Sequence, residues 1–284
     1  MDVFSREELT RIVREALAED VGPGDATSLA VVPASLWATA LMVAREPLVL
    51  AGMELVQLAF RQLYPGVQLL PKFFDGEFVP AGRPILEILG PAQALLTAER
   101  VALNFTQRLS GIATLTRHFV EAVAGTKARI LDTRKTTPGW RKLEKYAVVC
   151  GGGQNHRFGL YDLILIKDNH LAALKNELPN PVAAAVRKAR SQYPDLRVEV
   201  EADTFEQAAQ AVEAGADIIL LDNMDLATLR KCVEFISGRA QTEASGGVNL
   251  QTVRAIAETG VDFISVGALT HSARAVDIAL DFKA

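Results

Sequence analysis

Apolar positions in the first twenty residues fall at helical spacing. Leu9, Ile12, Val13, Ala16 and Leu17 share a face, Ser5 stands where an N-cap belongs, and Glu7 and Glu8 occupy the first turn. The Gly22-Pro23-Gly24-Asp25 cluster ends that helix. From residue 36 to 90 the pattern shortens to runs such as TALMVA, LVLAG, VQLL and ILEIL, punctuated by Pro47, Pro65-Gly66, Pro71, Asp75-Gly76 and Gly82. A helical interruption falls at Met53–Leu63, and the whole predicts a small α+β domain. Pro91 opens a long helical stretch to about Ala124, with a break expected near Ser110-Gly111.

After Gly125 a cycle sets in of apolar run, polar residues and helical pattern. The runs are ARILD (128–132), LILIK (163–167), RVEVE (197–201), DIILLD (217–222), QTEAS (241–245) and DFISVG (262–267). Five lead into helical segments within a few residues; the first reaches its helix, residues 138–149, through a cationic loop. Such alternation predicts parallel strands with crossover helices. Without a Gly-x-Gly-x-x-Gly fingerprint, a barrel is favoured over a dinucleotide-binding open sheet, although a barrel wants eight strands and six read clearly. The tail HSARAVDIALDFKA reads as a last amphipathic helix, free to pack on the barrel or to return to the first domain. The predicted organisation is therefore residues 1–110, 111–270 and 271–284.

Composition narrows the picture. With 284 residues, 49% of them hydrophobic and 23% charged, the chain is globular rather than disordered and long enough for one large or two ordinary domains. The opening is charged and lacks an apolar signal core, and no window approaches ~20 uninterrupted apolar residues, which predicts a soluble, unexported protein without a membrane partner. Cys150 and Cys232 show neither CxxC nor Cys/His spacing, so no disulfide framework or thiolate zinc site is expected, in keeping with a reducing cytoplasm. A net charge of -4 argues against a nucleic-acid partner. One stretch departs from this: Arg134, Lys135, Arg141, Lys142, Lys145 and Arg157 are opposed by Glu144 alone.

The polar residues concentrate at strand carboxyl ends, where loops of a βα barrel converge on one ligand. Asp132 to Lys135, Lys167 to His170, Glu199 and Glu201, Asp222-Asn223, Ser245-Gly246-Gly247 and Gly267 all lie there. Singly each has a bland reading: Asp222 as a helix cap, Lys167 as a hydrated amine on an aliphatic stem, Glu199 or Glu201 as an outward strand residue. Together they describe two anion receptors. Ser245, Gly246 and Gly247 precede Asn249 and a helical segment, so small residues bring backbone N–H groups to a phosphate at a helix N-terminus, with Gly267 as a second close approach. Arg134, Lys135, His156, Arg157 and Lys167 form a cationic receptor for a small polyanion bearing carboxylates and phosphates, and Gly151-Gly152-Gly153 makes the loop before His156 pliable. Arg141, Lys142 and Lys145 read as a solvated helix face, and His118 and His271 lack context. Glu201 and Asp222 are suited to holding Mg²⁺ through waters and to binding sugar hydroxyls.

The block DTRKTTPGWRKLEKYAVVCGGGQNHRFGLYDLILIKDNH closely resembles the signature of the quinolinate phosphoribosyltransferase (decarboxylating) family of NAD biosynthesis, and GDAT, ERVALNFTQRLSGIAT, VEVEADT, LLDN, EASGGV and VGALTH extend the resemblance over nearly the whole chain. It implies an N-terminal α/β sandwich, an incomplete parallel α/β barrel, and a homodimer in which the partner's sandwich covers the barrel mouth, with a hexamer as the alternative assembly. On that pattern Arg134, His156, Arg157 and Lys167 surround quinolinate, joined by Arg100 from the neighbouring subunit. Lys135 contacts phosphoribosyl pyrophosphate or its pyrophosphate, Glu201 and Asp222 meet the ribose and Mg²⁺, and Ser245, Gly246, Gly247 and Gly267 take the 5-phosphate. The rivals are a related molybdenum-transport-associated barrel protein, which diverges in the NHR and KDNH segments, a Schiff-base aldolase using Lys167, and a noncatalytic barrel that senses phosphorylated metabolites.

Overall fold

The computed structural model describes residues 4–283. In chain order the elements are α1 (Arg6–Val21), α2 (Ala26–Val31), β1 (Trp37–Ala44), β2 (Leu48–Val49), α3 (Met53–Leu63), β3 (Gln68–Pro71), β4 (Phe78–Val79), β5 (Pro84–Pro91), α4 (Ala92–Ala122), β6 (Arg129–Leu131), α5 (Arg141–Cys150), β7 (Ile164–Ile166), α6 (Asp168–Ala173), α7 (Pro181–Gln192), β8 (Val198–Ala202), α8 (Phe205–Glu213), β9 (Ile218–Asp222), α9 (Leu226–Ile236), β10 (Gln241–Ser245), α10 (Val253–Ala257), β11 (Phe263–Ser265), α11 (Ala268–His271) and β12 (Ile278–Lys283). They form two compact units. The first takes the chain up to Arg117, then Lys142–Gly152 and the segment from Ala273; the second takes His118–Arg141 and Gly153–Ser272.

In the first unit, α1 begins where its pattern predicts: Ser5 Oγ accepts the Glu8 N–H at 3.1 Å, and Leu9, Val13 and Leu17 are buried. A sheet in the order β12-β1-β5-β3 carries the unit, every pairing antiparallel. The tail is a strand here, not a helix. Residues 278–283, IALDFK, place Ile, Leu and Phe at every second position and pair with β1 from Ala44↔Ile278 to Thr39↔Lys283. On the exposed side Asp281 meets Arg45 at 2.5 Å and Lys283 meets Glu87 at 2.8 Å, so strand alternation overrides the helical reading of the preceding residues.

Helix α4 runs unbroken through Ser110-Gly111. These small residues mark a close approach: a Cβ on Gly111 would collide with the Arg274 carbonyl oxygen, and buried Ser110 Oγ accepts the Ala51 N–H at 2.9 Å. Helix α5 is not the solvated face its charges suggest. Glu144 is fully buried and takes Arg108 at 3.2 Å, Lys142 pairs with Glu8 at 2.6 Å, and Lys145 is 1% exposed. Gly151 is likewise a fixed crossing rather than a pliable link, since a Cβ there would run into the Ala113 carbonyl oxygen and Thr116, and its own carbonyl accepts from Arg117 Nε at 3.1 Å.

In the second unit all six apolar runs are strands, and every pairing is parallel. The order is β6-β11-β10-β9-β8-β7, so chain neighbours are sheet neighbours from β7 to β11, and the first strand closes against the last. Helices α7, α8 and α9 return the chain between these strands, each with a side-chain N-cap from Asn180, Thr204 or Asp225. Beyond the free edge of β6 runs the chain around Gln154, which donates its N–H to Ile130 O at 2.8 Å and accepts from Asp132 N at 3.1 Å. Among the described residues, no helix is long and apolar enough to cross a membrane.

Candidate active site

Because the strands of the second unit are parallel, their carboxyl ends share one rim, and the expected polar residues follow from it. Asp132, fully buried just past β6, accepts the His156 N–H at 2.8 Å. This bond, with the Gln154 pairing, stitches the His156-Arg157 loop to the β6 loop that carries Arg134 and Lys135. Arg134 is half-buried, and its Nε, sealed from solvent, has no hydrogen-bond partner among the described residues. Arg157 donates to Leu163 O at 3.3 Å; burial first, and then the Arg134 charge, lower its pKa. Two guanidinium groups thus stand near one another, partly stripped of water, with a donor left over.

Under this wall lies a cluster that the sequence gives little sign of. Glu199 on β8 and Glu243 on β10 are 0% and 1% exposed, and His156 Nε2 lies 3.0 Å from one and 3.4 Å from the other. Burial by itself lowers the His156 pKa, while hydrogen bonding and charge from Glu199 and Glu243 raise it, so the two carboxylates favour a proton on the Nε2 that faces them. The ligand atoms of the three lie within 4.8 Å of one another, a grouping that could hold a divalent cation. The only hint of Glu243 in the sequence is a carboxylate in the middle of a strand run.

The acidic side of the rim is made by Glu201, 9% exposed on β8, and Asp222 at the end of β9. Lys167 forms a short ion pair with Glu201, and Asp222 accepts from Asn223 Nδ2 at 2.6 Å. Asn223 has φ 53°, a left-handed conformation that turns the chain sharply after the strand, and donates its N–H to Ser245 O at 2.9 Å. Nearby Asp203 has a raised pKa, from burial first and then from Glu201, Asp222 and Asp168, so oxygen donors crowd this corner.

Gly246 and Gly247 are both left-handed, at φ 94° and 60°. A Cβ on Gly246 would fall on Asn223 Oδ1, whereas nothing lies within 4 Å of one on Gly247. The helix expected after Asn249 begins only at Val253 and spans five residues, so any phosphate donors beside Ser245 are loop amides, not a helix N-terminus. Lys135 and His271 converge on Gly267: a Cβ there would meet Lys135 Cδ at 3.0 Å and His271 Nε2 at 3.1 Å. Thr270 Oγ1 donates to Lys135 O at 2.7 Å and fixes that loop. His271, unassigned from sequence, therefore belongs to the rim. Arg100 does not join this grouping within one unit: it is an exposed residue of α4 in the first.

Two family profiles cover the chain. The N-terminal domain of quinolinate phosphoribosyl transferase matches residues 25–110 and its C-terminal domain residues 112–281. The chain belongs to the quinolinate phosphoribosyltransferase family. A nicotinate-nucleotide pyrophosphorylase (carboxylating) of Mycobacterium leprae (strain TN) is 46% identical over 275 residues, covering 95% of each chain. A probable enzyme of the same name from Bacillus subtilis (strain 168) is 44% identical, covering 96% of this chain and 93% of that protein. The solved nicotinate-nucleotide pyrophosphorylase of Francisella tularensis superposes with a TM-score of 0.93 at 40% identity, over 99% of this chain and 98% of that one. The molybdenum-transport alternative finds no support in these matches. The Schiff-base alternative fails on chemistry, because the Lys167 ammonium is nearly half exposed and paired with a carboxylate, the opposite of a desolvated amine.

Proposed function

We propose that this chain transfers phosphoribosyl from phosphoribosyl pyrophosphate to the ring nitrogen of quinolinate and releases the 2-carboxylate, giving nicotinate mononucleotide, pyrophosphate and CO₂. Family membership supports the reaction, and the observation that carries the substrate is the Arg134–Arg157 wall: like charges, partly desolvated, with a sealed donor unused, favour a ligand with two adjacent carboxylates. Arg134, Arg157 and Lys167 hold the dianion, with His156 behind them. Lys135, beside Gly267, faces the donor's pyrophosphate, and Ser245, Gly246, Gly247 and Gly267 cradle the 5-phosphate. Glu201 and Asp222 bind the ribose and stabilise positive charge developing on its anomeric carbon as the leaving group departs.

The donors around Glu201 and Asp222 are carboxylate oxygens, crowded enough to raise the Asp203 pKa, and this set fits Mg²⁺. Bound there, the ion offsets negative charge gathering on pyrophosphate. Lys167, held by Glu201, stands at the border of the two subsites and is free to move its ammonium toward quinolinate once the acidic corner is occupied. The β7-to-β11 order with β6 closing against β11 supports the incomplete barrel of this family, its gap lying between β6 and β7. A homodimer that lends Arg100 to its neighbour's rim, and a cytoplasmic location, complete the reading. Pyrophosphate formation with quinolinate, nicotinate and nicotinamide as competing acceptors tests it. Turnover with quinolinate alone is expected; equal turnover with nicotinate, which has a single carboxylate, would refute the role given to the arginine pair.

A further inference from the structure

Both ring nitrogens of His156 are engaged by the protein. Nε2 points inward, between Glu199 and Glu243, and Nδ1 accepts the Arg157 N–H at 2.7 Å. A nitrogen that accepts carries no proton, so the proton of the ring is on Nε2, facing the carboxylates. None of the four carboxylate oxygens has an aligned hydrogen-bond partner among the described residues, although all are sealed from solvent. Buried carboxylates left so poorly matched destabilise the fold on their own account. Their position explains them: Glu199 opposes the charge of Arg157, and both carboxylates grip the ring that fixes the Arg157 backbone.

We propose that Glu199 and Glu243 are positioning residues, which clamp His156 inside the strand layer so that His156, through Nδ1, holds the Arg157 amide and aims its guanidinium beside Arg134. His156 thus serves quinolinate through Arg157 rather than by donating to it. The inference rests on the reading of the Arg134–Arg157 wall as the quinolinate site. The chain of contacts is continuous: Asp132 fixes the His156 amide at 2.8 Å, His156 fixes the Arg157 amide, and Leu163 O takes one end of the guanidinium at 3.3 Å. It also decides between a proton and a metal at the cluster. A cation on Nε2 needs that nitrogen's lone pair and puts the proton on Nδ1, against the Arg157 N–H.

Two measurements test this on the full-length protein. In the wild-type enzyme labelled with ¹⁵N-histidine, the His156 resonances, assigned by loss in His156→Asn, are expected to show a protonated Nε2 and a bare Nδ1 near neutral pH. A bare Nε2, a doubly protonated ring, or stoichiometric divalent metal lost in His156→Asn, would overturn the clamp. This readout needs no substrate and stands even if quinolinate is not the acceptor. In kinetics, Glu243→Gln and Glu199→Gln are expected to raise KM for quinolinate tenfold or more while KM for phosphoribosyl pyrophosphate stays within twofold. Equal loss toward both substrates, or no change in either, would also overturn it.

Discussion

Gly246→Ala isolates the coupling between the phosphate loop and the acidic corner. An L-residue at φ 94° costs about 1–2 kcal/mol in backbone strain. The new methyl would also fall on Asn223 Oδ1 and lie 3.0 Å from the Asn223 backbone nitrogen, so the Asn223 side chain must leave. Its 2.6 Å bond to Asp222 goes with it, a further loss of roughly 1 kcal/mol. About 2–3 kcal/mol in all falls on a loop and a carboxylate assigned to the phosphoribosyl donor; at tenfold per ~1.4 kcal/mol, KM for phosphoribosyl pyrophosphate is expected to rise by roughly 30-fold or more. Gly247→Ala is the control, with left-handed backbone at φ 60° and open space around the methyl, so it bears the strain alone, and its rise in that KM should be about fivefold smaller than that of Gly246→Ala, the share of the lost ~1 kcal/mol bond to Asp222. Quinolinate KM should stay within about twofold in both, since neither residue touches the arginine wall. Steady-state pyrophosphate release at varied donor and acceptor, with melting temperatures to confirm folding, provides the test. If Gly247→Ala proved as damaging as Gly246→Ala, or if the defect fell on quinolinate, the placement of the two anions would be wrong.

Arg134→Ala should weaken quinolinate and Lys135→Ala the donor, each by about 10–100-fold in KM, from loss of a charge-assisted contact of roughly 1.5–3 kcal/mol; the reverse pattern in initial-rate kinetics would exchange their assignments. Gly111→Ala forces a methyl into the Arg274 carbonyl and should lower stability in urea by about 2 kcal/mol or more, whereas an unchanged midpoint would mean that α4 and the C-terminal segment are not in contact. Glu46 has its pKa lowered to about 2, by Arg274 first and by the Asp277 amide, so its contribution is complete above the unfolded value of 4.5 and disappears as pH falls from there to about 2. Arg274 is largely solvent-exposed, which reduces the expected contribution to ~1 kcal/mol; Glu46→Gln should lose that at pH 7 and match the wild type near pH 2, and a constant difference across the range would refute the linkage. Mixing Arg100→Ala with Arg157→Ala chains should restore activity if each rim borrows Arg100 from a partner, and no restoration would exclude the sharing.

The second unit was readable because its signals are repetitive: apolar runs of strand length, each ending in polar residues, can be satisfied at once only by parallel strands with a common rim. The tail was not, since HSARAVDIAL carries apolar spacing compatible with a helix, and only pairing with β1 rewards the alternation of residues 278–283. Small residues misled twice. Ser110-Gly111 and Gly151 look like breaks or hinges along the chain, yet each is a point where another backbone passes too close for a side chain, a fact that sequence does not encode locally. Charges on α5 misled for a related reason: Glu144 and Lys145 face protein, and a helical wheel cannot tell a solvated face from one closed by a distant segment. Within the site, Glu199 and Glu201 could be picked as acidic strand residues, but which of them meets His156 depends on a loop laid beside β6 through Gln154.

A crystal structure of the enzyme with quinolinate bound tests the central claim most directly. The two carboxylates are expected to lie against Arg134 and Arg157, with the buried Arg134 Nε at last paired and the ring nitrogen turned toward the acidic corner of Glu201 and Asp222. Quinolinate found elsewhere on the molecule, with both guanidinium groups untouched, would contradict it.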